Sequence, residues 1–116
     1  MKRKTIRAHR DFITKLDDFK SSHYFFMVRA KKAKIPGDAR YGIIVAKKFF
    51  KLAVQRNRAK RLVRDWISAN EHLMNDNLDY IFVLRDTILN ADCISGRKQM
   101  AYALRRILKM YENNAK

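Results

Sequence analysis

The repeat of apolar residues changes several times along the chain, and each change marks an element. From about Arg10, the residues Phe12, Ile13, Leu16 and Phe19 recur at helical spacing and predict a short amphipathic helix. Tyr24-Phe25-Phe26-Met27-Val28 then runs in alternation into Arg29 and Lys31, which predicts a strand. Ile35-Pro36-Gly37-Asp38 predicts a turn, because proline presets φ and glycine admits φ > 0. A second strand is expected from Arg40 to Lys48, apolar on both faces in its middle and basic at its end. Residues 54–69 contain neither Gly nor Pro and read as a helix. Asp79 to Arg85 is apolar throughout its middle and predicts a central strand. Met100, Leu104, Ile107, Leu108 and Tyr111 mark a last helix, with Ser95 as its expected N-cap. Residues 1–6 read as a mobile basic arm.

The resulting order is α-β-β-α-β-α. A strand–helix–strand unit around residues 54–69 implies a parallel pair within a mixed sheet. No linker or internal repeat interrupts the sequence, so a single domain is expected over 1–116. Its class is α+β, an α-β sandwich with a mixed sheet of three to four strands and helices packed on it. A chain of 116 residues suffices to bury roughly two thirds of its unfolded surface in one core.

Charge sharpens this picture. The chain carries 27 Lys and Arg against 11 Asp and Glu, a net charge of +16. Such an excess opposes compaction, and a polyanionic partner is the usual reason to carry it. Residues 40–64 hold nine cations (Arg40, Lys47, Lys48, Lys51, Arg56, Arg58, Lys60, Arg61, Arg64) and no acid. Residues 65–116 hold seven of each sign and read as a neutral scaffold. The longest apolar run, residues 41–46, is far below the ~20 residues of a membrane span. No signal peptide is expected, and the single cysteine, Cys93, fits a reducing compartment. These features predict a soluble cytoplasmic domain that binds nucleic acid or an acidic surface.

On a helix starting at Val54, Ala59, Leu62, Val63 and Trp66 fall within an arc of about 100°, with Ile67 and Ala69 at its margins. That is the buried stripe. Asn57, Lys60, Arg61, Arg64 and Ser68 lie opposite, with Arg58 beside them and Arg56 at the boundary. Only Asp65 interrupts this face, four residues after Arg61, where it is expected to pair with that residue. A merely solubilising face would mix signs. Cations on a rigid helix match the phosphates of a structured nucleic acid, and Arg forks onto two oxygens where Lys cannot.

These residues resemble a known family. Arg56-Asn57-Arg58-Ala59-Lys60-Arg61-Leu62-Val63-Arg64, preceded by Tyr41-Gly42-Ile43-Ile44-Val45-Ala46-Lys47-Lys48, is similar to the signature of the protein subunit of bacterial ribonuclease P. Asp79-Tyr80-Ile81-Phe82-Val83-Leu84-Arg85 and Asp11-Phe12 match further elements of that family, and the likeness spans about residues 7–110. Leu16 stands where the family usually has an aromatic, and the connection 49–55 lacks a glycine common after the Lys pair. The resemblance implies a ribonucleoprotein that removes the 5′ leader from precursor tRNA by endonucleolytic cleavage. It implies that the chemistry and its Mg²⁺ reside on a large catalytic RNA, with no cofactor on the protein. It also places the RNR helix in a β-α-β crossover. The expected contacts to the catalytic RNA are Lys47, Lys48, Arg56, Asn57, Arg58, Lys60, Arg61 and Arg64, and the precursor tRNA leader is the second expected partner.

Alternation along the two strands predicts a cleft for the leader. Phe25, Met27, Ile43 and Val45 are expected to cover Leu62 and Trp66 of the basic helix. The opposite sheet face then carries Phe26, Val28, Gly42, Ile44, Ala46 and Lys48, near Phe12 and Leu16 of the first helix. A shallow groove with aromatic walls and a lysine at its end suits single-stranded RNA bound by stacking and phosphate contact.

No catalytic residue and no metal site is expected on the protein. His9, His23 and His72 are scattered, Asp17 and Asp18 point about 100° apart on a helix, and Cys93 has no second cysteine. His23 and Cys93 are expected to pack rather than react. The alternative is a non-catalytic protein of ribosomal or RNA-chaperone type, which shares the charge but needs no groove for a single strand. A helix-turn-helix protein fits poorly, because the basic helix lies between two strands with no helix to brace it.

Overall fold

The structure, a computed structural model, describes residues 3–6, 12 and 18–114. Its elements are strands β1 (Lys4–Thr5), β2 (Phe19–Ser22), β3 (Phe26–Lys32) and β4 (Arg40–Ile44), helix α1 (Ala53–Ala69), strand β5 (Leu78–Leu84) and helix α2 (Cys93–Asn114). Single 3-10 turns at Glu71–Leu73 and Asp86–Asn90 flank β5. The five strands form one mixed sheet in the order β1-β4-β5-β3-β2. β4 and β5 are parallel and joined through α1, so the expected crossover is present. The class is the expected α+β, with more strands than expected. Of the predicted first helix, only Phe12, Asp18 and Phe19 fall among the described residues, and Phe19 is corrected: it opens strand β2, paired with Ala30, instead of closing a helix.

Register decides which side chains share a face. Val28 pairs with Phe82, Ala30 with Tyr80, Tyr41 with Tyr80 and Ile43 with Phe82. These residues, with Phe26 and Leu84, form the face on which Ala59, Val63, Trp66 and Ile67 of α1 and Met100, Ala103, Leu104 and Ile107 of α2 are packed. Met27, Arg29, Gly42, Ile44, Ile81 and Val83 point the other way. The expected pairing of faces is therefore corrected at β3. Phe26 and Val28 are wholly buried beneath the helices, whereas Met27 shares the open face with Gly42. Phe25, Ile43 and Val45 do pack against the helical core as expected.

Residues 3–6 are not a free arm. Lys4–Thr5 pairs with β4, Ile6 is buried, and the Arg3 guanidinium donates to the Asn75 carbonyl at 2.9 Å and to Asp76 at 3.2 Å. The strand expected to reach Lys48 ends at Ile44. Phe49 and Phe50 N–H both donate to the Ala46 carbonyl at 3.1 Å, which folds Lys47 and Lys48 into a turn. The N-cap of α2 is Asp92 rather than Ser95: its carboxylate accepts from the Ser95 N–H at 2.6 Å and from the Ser95 hydroxyl at 3.1 Å.

The two helices are locked together. Gly96 of α2 meets the Trp66 indole so closely that a Cβ there would overlap the ring. Asn70, just past α1, donates from Nδ2 to the Trp66 carbonyl at 3.0 Å and to the Arg97 carbonyl at 3.1 Å.

Candidate nucleic-acid interface

Helix α1 turns Ala59, Val63, Trp66 and Ile67 inward and leaves Asn57, Arg58, Arg61 and Arg64 exposed, with Leu62 and Lys60 half-buried and Ala69 exposed. Its N-terminus is held by the Gln55 side-chain oxygen, which accepts from the Leu52 N–H at 3.3 Å. Arg56 is half-buried and differs from its neighbours: its Nη1 donates to the Phe50 carbonyl at 2.6 Å and the Lys51 carbonyl at 3.3 Å. It fixes the turn that carries Lys47 and Lys48, both exposed, against the start of the helix.

The one acid of this helix face is turned away. Asp65 does not pair with Arg61; it accepts from Arg97 of α2 at 2.9 and 3.1 Å. Those bonds hold its carboxyl below the usual range, so it stays ionised and neutralised. Among the described residues, no carboxylate lies within 4 Å of Arg58, Lys60, Arg61 or Arg64. Among the described residues, these cations form a ridge with no ion-paired carboxylate. Arg40 is not part of it, because its guanidinium pairs with buried Asp79 at 3.3 Å and its N–H donates to the same carboxylate at 2.7 Å. Asp79, near the start of β5, is thus a buried anchor between β4 and β5.

The second surface is the open face of the sheet. Phe12 lies on Gly42, where a Cβ would run into its ring. Ile44, half-buried, shares this face, and Ala46, also half-buried, precedes the turn that carries Lys47 and Lys48. Leu16 lies outside the described residues. Phe26 and Val28, expected to line the groove, are on the wrong side of the sheet to meet anything there. Met27 and Val83 take their place and floor a cleft of about 460 Å³, walled by Tyr24, Phe49 and Arg85. Tyr24 and Phe49 are 67% and 55% exposed, and the Lys48 ammonium sits 4.9 Å from the Phe49 ring centroid. Sequence reasoning missed these two aromatics as site residues; their exposed rings beside a Lys-Lys turn were the available signal.

Among the described residues, no three of His, Cys, Asp and Glu gather as metal ligands. His23 is half-buried against the Phe26 and Tyr102 rings, as expected for a packing residue. Cys93 is exposed instead, its thiol 3.6 Å from Asp65. No helix among the described residues is long and apolar enough to cross a membrane.

Known proteins resemble this chain in sequence and in fold. The family profile described as Ribonuclease P matches residues 1–108. The ribonuclease P protein component of Chromobacterium violaceum is 40% identical over 83 residues, covering 65% of this chain and 65% of that protein. The one from Listeria innocua is 33% identical over 93 residues, covering 78% and 77%. The aligned part amounts to 34% of a Pseudomonas putida relative, so several curated relatives are matched over less than two thirds of their length. Among solved structures, the RNase P protein from Thermotoga maritima superposes with a TM-score of 0.72 at 26% identity, covering 90% of this chain and 98% of that one.

Proposed function

We propose that this chain, which belongs to the ribonuclease P protein family, serves as the protein subunit of the ribonucleoprotein that removes the 5′ leader from precursor tRNA. The catalytic RNA of that particle performs the hydrolysis and holds the Mg²⁺ ions. The protein contributes two binding surfaces. The exposed face of α1 docks on the catalytic RNA through Arg58, Lys60, Arg61 and Arg64, with Asn57, Lys47 and Lys48 extending the contact. The open face of the sheet, from Phe12 on Gly42 past Ile44 and Ala46 to Met27, Tyr24 and Phe49, holds the unpaired leader.

The observation that carries this reading is the cationic ridge whose only acid is drawn off by Arg97. Releasing counterions from phosphates drives such binding, and each neutralised phosphate steepens its dependence on salt. A cleft with two exposed rings favours the leader over a role limited to coating duplex RNA, because base stacking on aromatic side chains requires unpaired bases.

The test is reconstitution with the cognate catalytic RNA and precursor tRNA at low Mg²⁺. Wild-type protein raises the cleavage rate above that of the RNA alone, and protein without RNA does not cleave. The variant carrying R58A, K60A, R61A and R64A loses the enhancement while keeping its fold. Cleavage by RNA-free protein, or full enhancement by that variant, overturns the assignment.

A further inference from the structure

The seven acids and seven bases of residues 65–116 are not mixed along the chain. Helix α2 carries Arg97, Lys98, Arg105, Arg106 and Lys109 against Glu112 alone. Arg97 is committed to Asp65. The other four cations are exposed and fall, with Tyr102, within an arc of about 100°. They span about 16 Å of helix from Lys98 to Lys109. Arg105 and Lys109 stand four residues apart and Arg106 and Lys109 three, spacings at which like charges destabilise a helix. Among the described residues, no carboxylate lies within 4 Å of Lys98, Arg105, Arg106 or Lys109.

This face is also shaped. Tyr102, Arg105, Arg106, Lys109, Met110 and Asn113 line a hollow of about 520 Å³. Tyr102, 55% exposed, rests edge-on against His23, and the Arg106 guanidinium is held 5.8 Å from its ring centroid with Nη1 3.4 Å from its hydroxyl. Arg106 is therefore preorganised. The face lies toward the β2 edge of the sheet, where Phe19 meets Tyr111 at 5.9 Å.

We infer that the outer face of α2 is a second phosphate-binding surface, which takes the ribose-phosphate backbone of an RNA segment other than the one lying on α1. The inference rests on the RNA-binding reading above and extends it. The Asp65–Arg97 pair and the Gly96–Trp66 contact hold the two helices as one frame. The protein then bridges two RNA segments at a fixed spacing. Both the catalytic RNA and the body of precursor tRNA offer the required backbone.

The experiment compares full-length protein with the triple variant R105Q, R106Q, K109Q and with the charge-keeping variant R105K, R106K. Binding is titrated against salt, once with the catalytic RNA alone and once with precursor tRNA added to the preformed holoenzyme. In the arm that presents the segment, the triple variant flattens the slope of log K against log [salt] by about two to three units, and the charge-keeping variant does not. Loss in the first arm assigns the catalytic RNA; loss only in the second assigns the tRNA. Unchanged slopes in both arms overturn the inference. Parallel titration of the α1 variant separates the two failures. If α1 substitutions weaken binding and the triple variant does not, only the second surface is wrong. If α1 substitutions also leave binding unchanged, the underlying reading fails.

Discussion

Asp65 of the basic helix accepts two hydrogen bonds from Arg97 of the other helix, at 2.9 and 3.1 Å, and none from Arg61 four residues away. The guanidinium fork fits the carboxylate in a way an Arg61 side chain on the same helix does not need to supply. One pair thus ties the helices together and neutralises the single acid on the cationic ridge.

Arg97→Ala is therefore expected to act on binding more than on folding. Both partners are about half exposed, so the thermal midpoint should change little. The released carboxylate adds a negative charge within reach of the phosphates, worth roughly a twofold loss of affinity per phosphate at ~8 Å in a watery interface. Asp65→Ala on top of Arg97→Ala restores the affinity. A double variant as weak as the single one would show that Arg97 itself touches the RNA.

The correction at β3 yields a second expectation. Phe26→Ala should cost about 3–5 kcal/mol of stability, because a wholly buried ring is deleted between Trp66 and Phe82. Whatever it costs in tRNA binding should be equal for leader-bearing and mature forms. Phe12→Ala and Met27→Ala, on the open face, should instead weaken the leader-bearing form selectively, Phe12→Ala by about 1–3 kcal/mol if its ring stacks on a base. Binding of both tRNA forms to the holoenzyme, with thermal midpoints for each variant, decides between them.

That correction also marks where the sequence stops being legible. The stripe of α1 was readable because its period repeats over four turns, and Ala59, Val63, Trp66 and Ile67 are buried as it predicts. Tyr24 to Val28 is apolar at both parities, so alternation carries no information about which residues face in. A one-residue slip moves every side chain to the other face. Here the choice is made by pairing with β5, which sets Val28 opposite Phe82, and by a bend before Phe26 that frees Phe25 to reach Trp66 at 5.7 Å. β1 and β2 escaped notice because two and four mostly polar residues show no period. Arg3 read as part of a loose arm because its partners lie more than 70 residues away. The neutral sum of the C-terminal half hid a basic helix for a related reason: all its acids but Glu112 precede Cys93, and all its bases but Arg85 follow.

Gly96→Ala tests the helix–helix lock. Alanine favours the helix by up to about 1 kcal/mol over glycine. Its Cβ would nevertheless overlap the Trp66 indole, which is fully buried and also packed against Phe25 and Phe26. The ring has no room to retreat, so overpacking of about 1–3 kcal/mol should win. Thermal or denaturant unfolding measures the balance; a variant as stable as wild type would mean the indole shifts freely.

The last expectation concerns pH. His23 sits against Phe26 and Tyr102, with its Nε2 2.5 Å from the Ser21 hydroxyl. Burial, and then the nearby Arg106 and Arg85 charges, disfavour its imidazolium and hold its pKa below the ordinary value of 6.5. In the unfolded chain the same ring takes up a proton near that ordinary value. Just below pH 6.5 the unfolded state therefore binds more protons, and stability must fall as the pH falls. The contribution is complete above that point and is lost progressively on acidification until the folded ring protonates as well. The Asp65 and Asp92 carboxyls, both held below their usual range, titrate far lower and leave the window clear. Thermal midpoints of wild type should drop between pH 7.5 and 5.5, by less than one proton's full linkage because the ring keeps contact with water. His23→Gln, which keeps a hydrogen-bonding group near Ser21 but cannot titrate, should flatten that part of the profile. An equally steep decline in His23→Gln would move the effect to another group. If phosphates occupy the α2 surface and neutralise Arg106, bound RNA should also raise the His23 pKa, which an imidazole proton resonance followed through a pH titration reports directly.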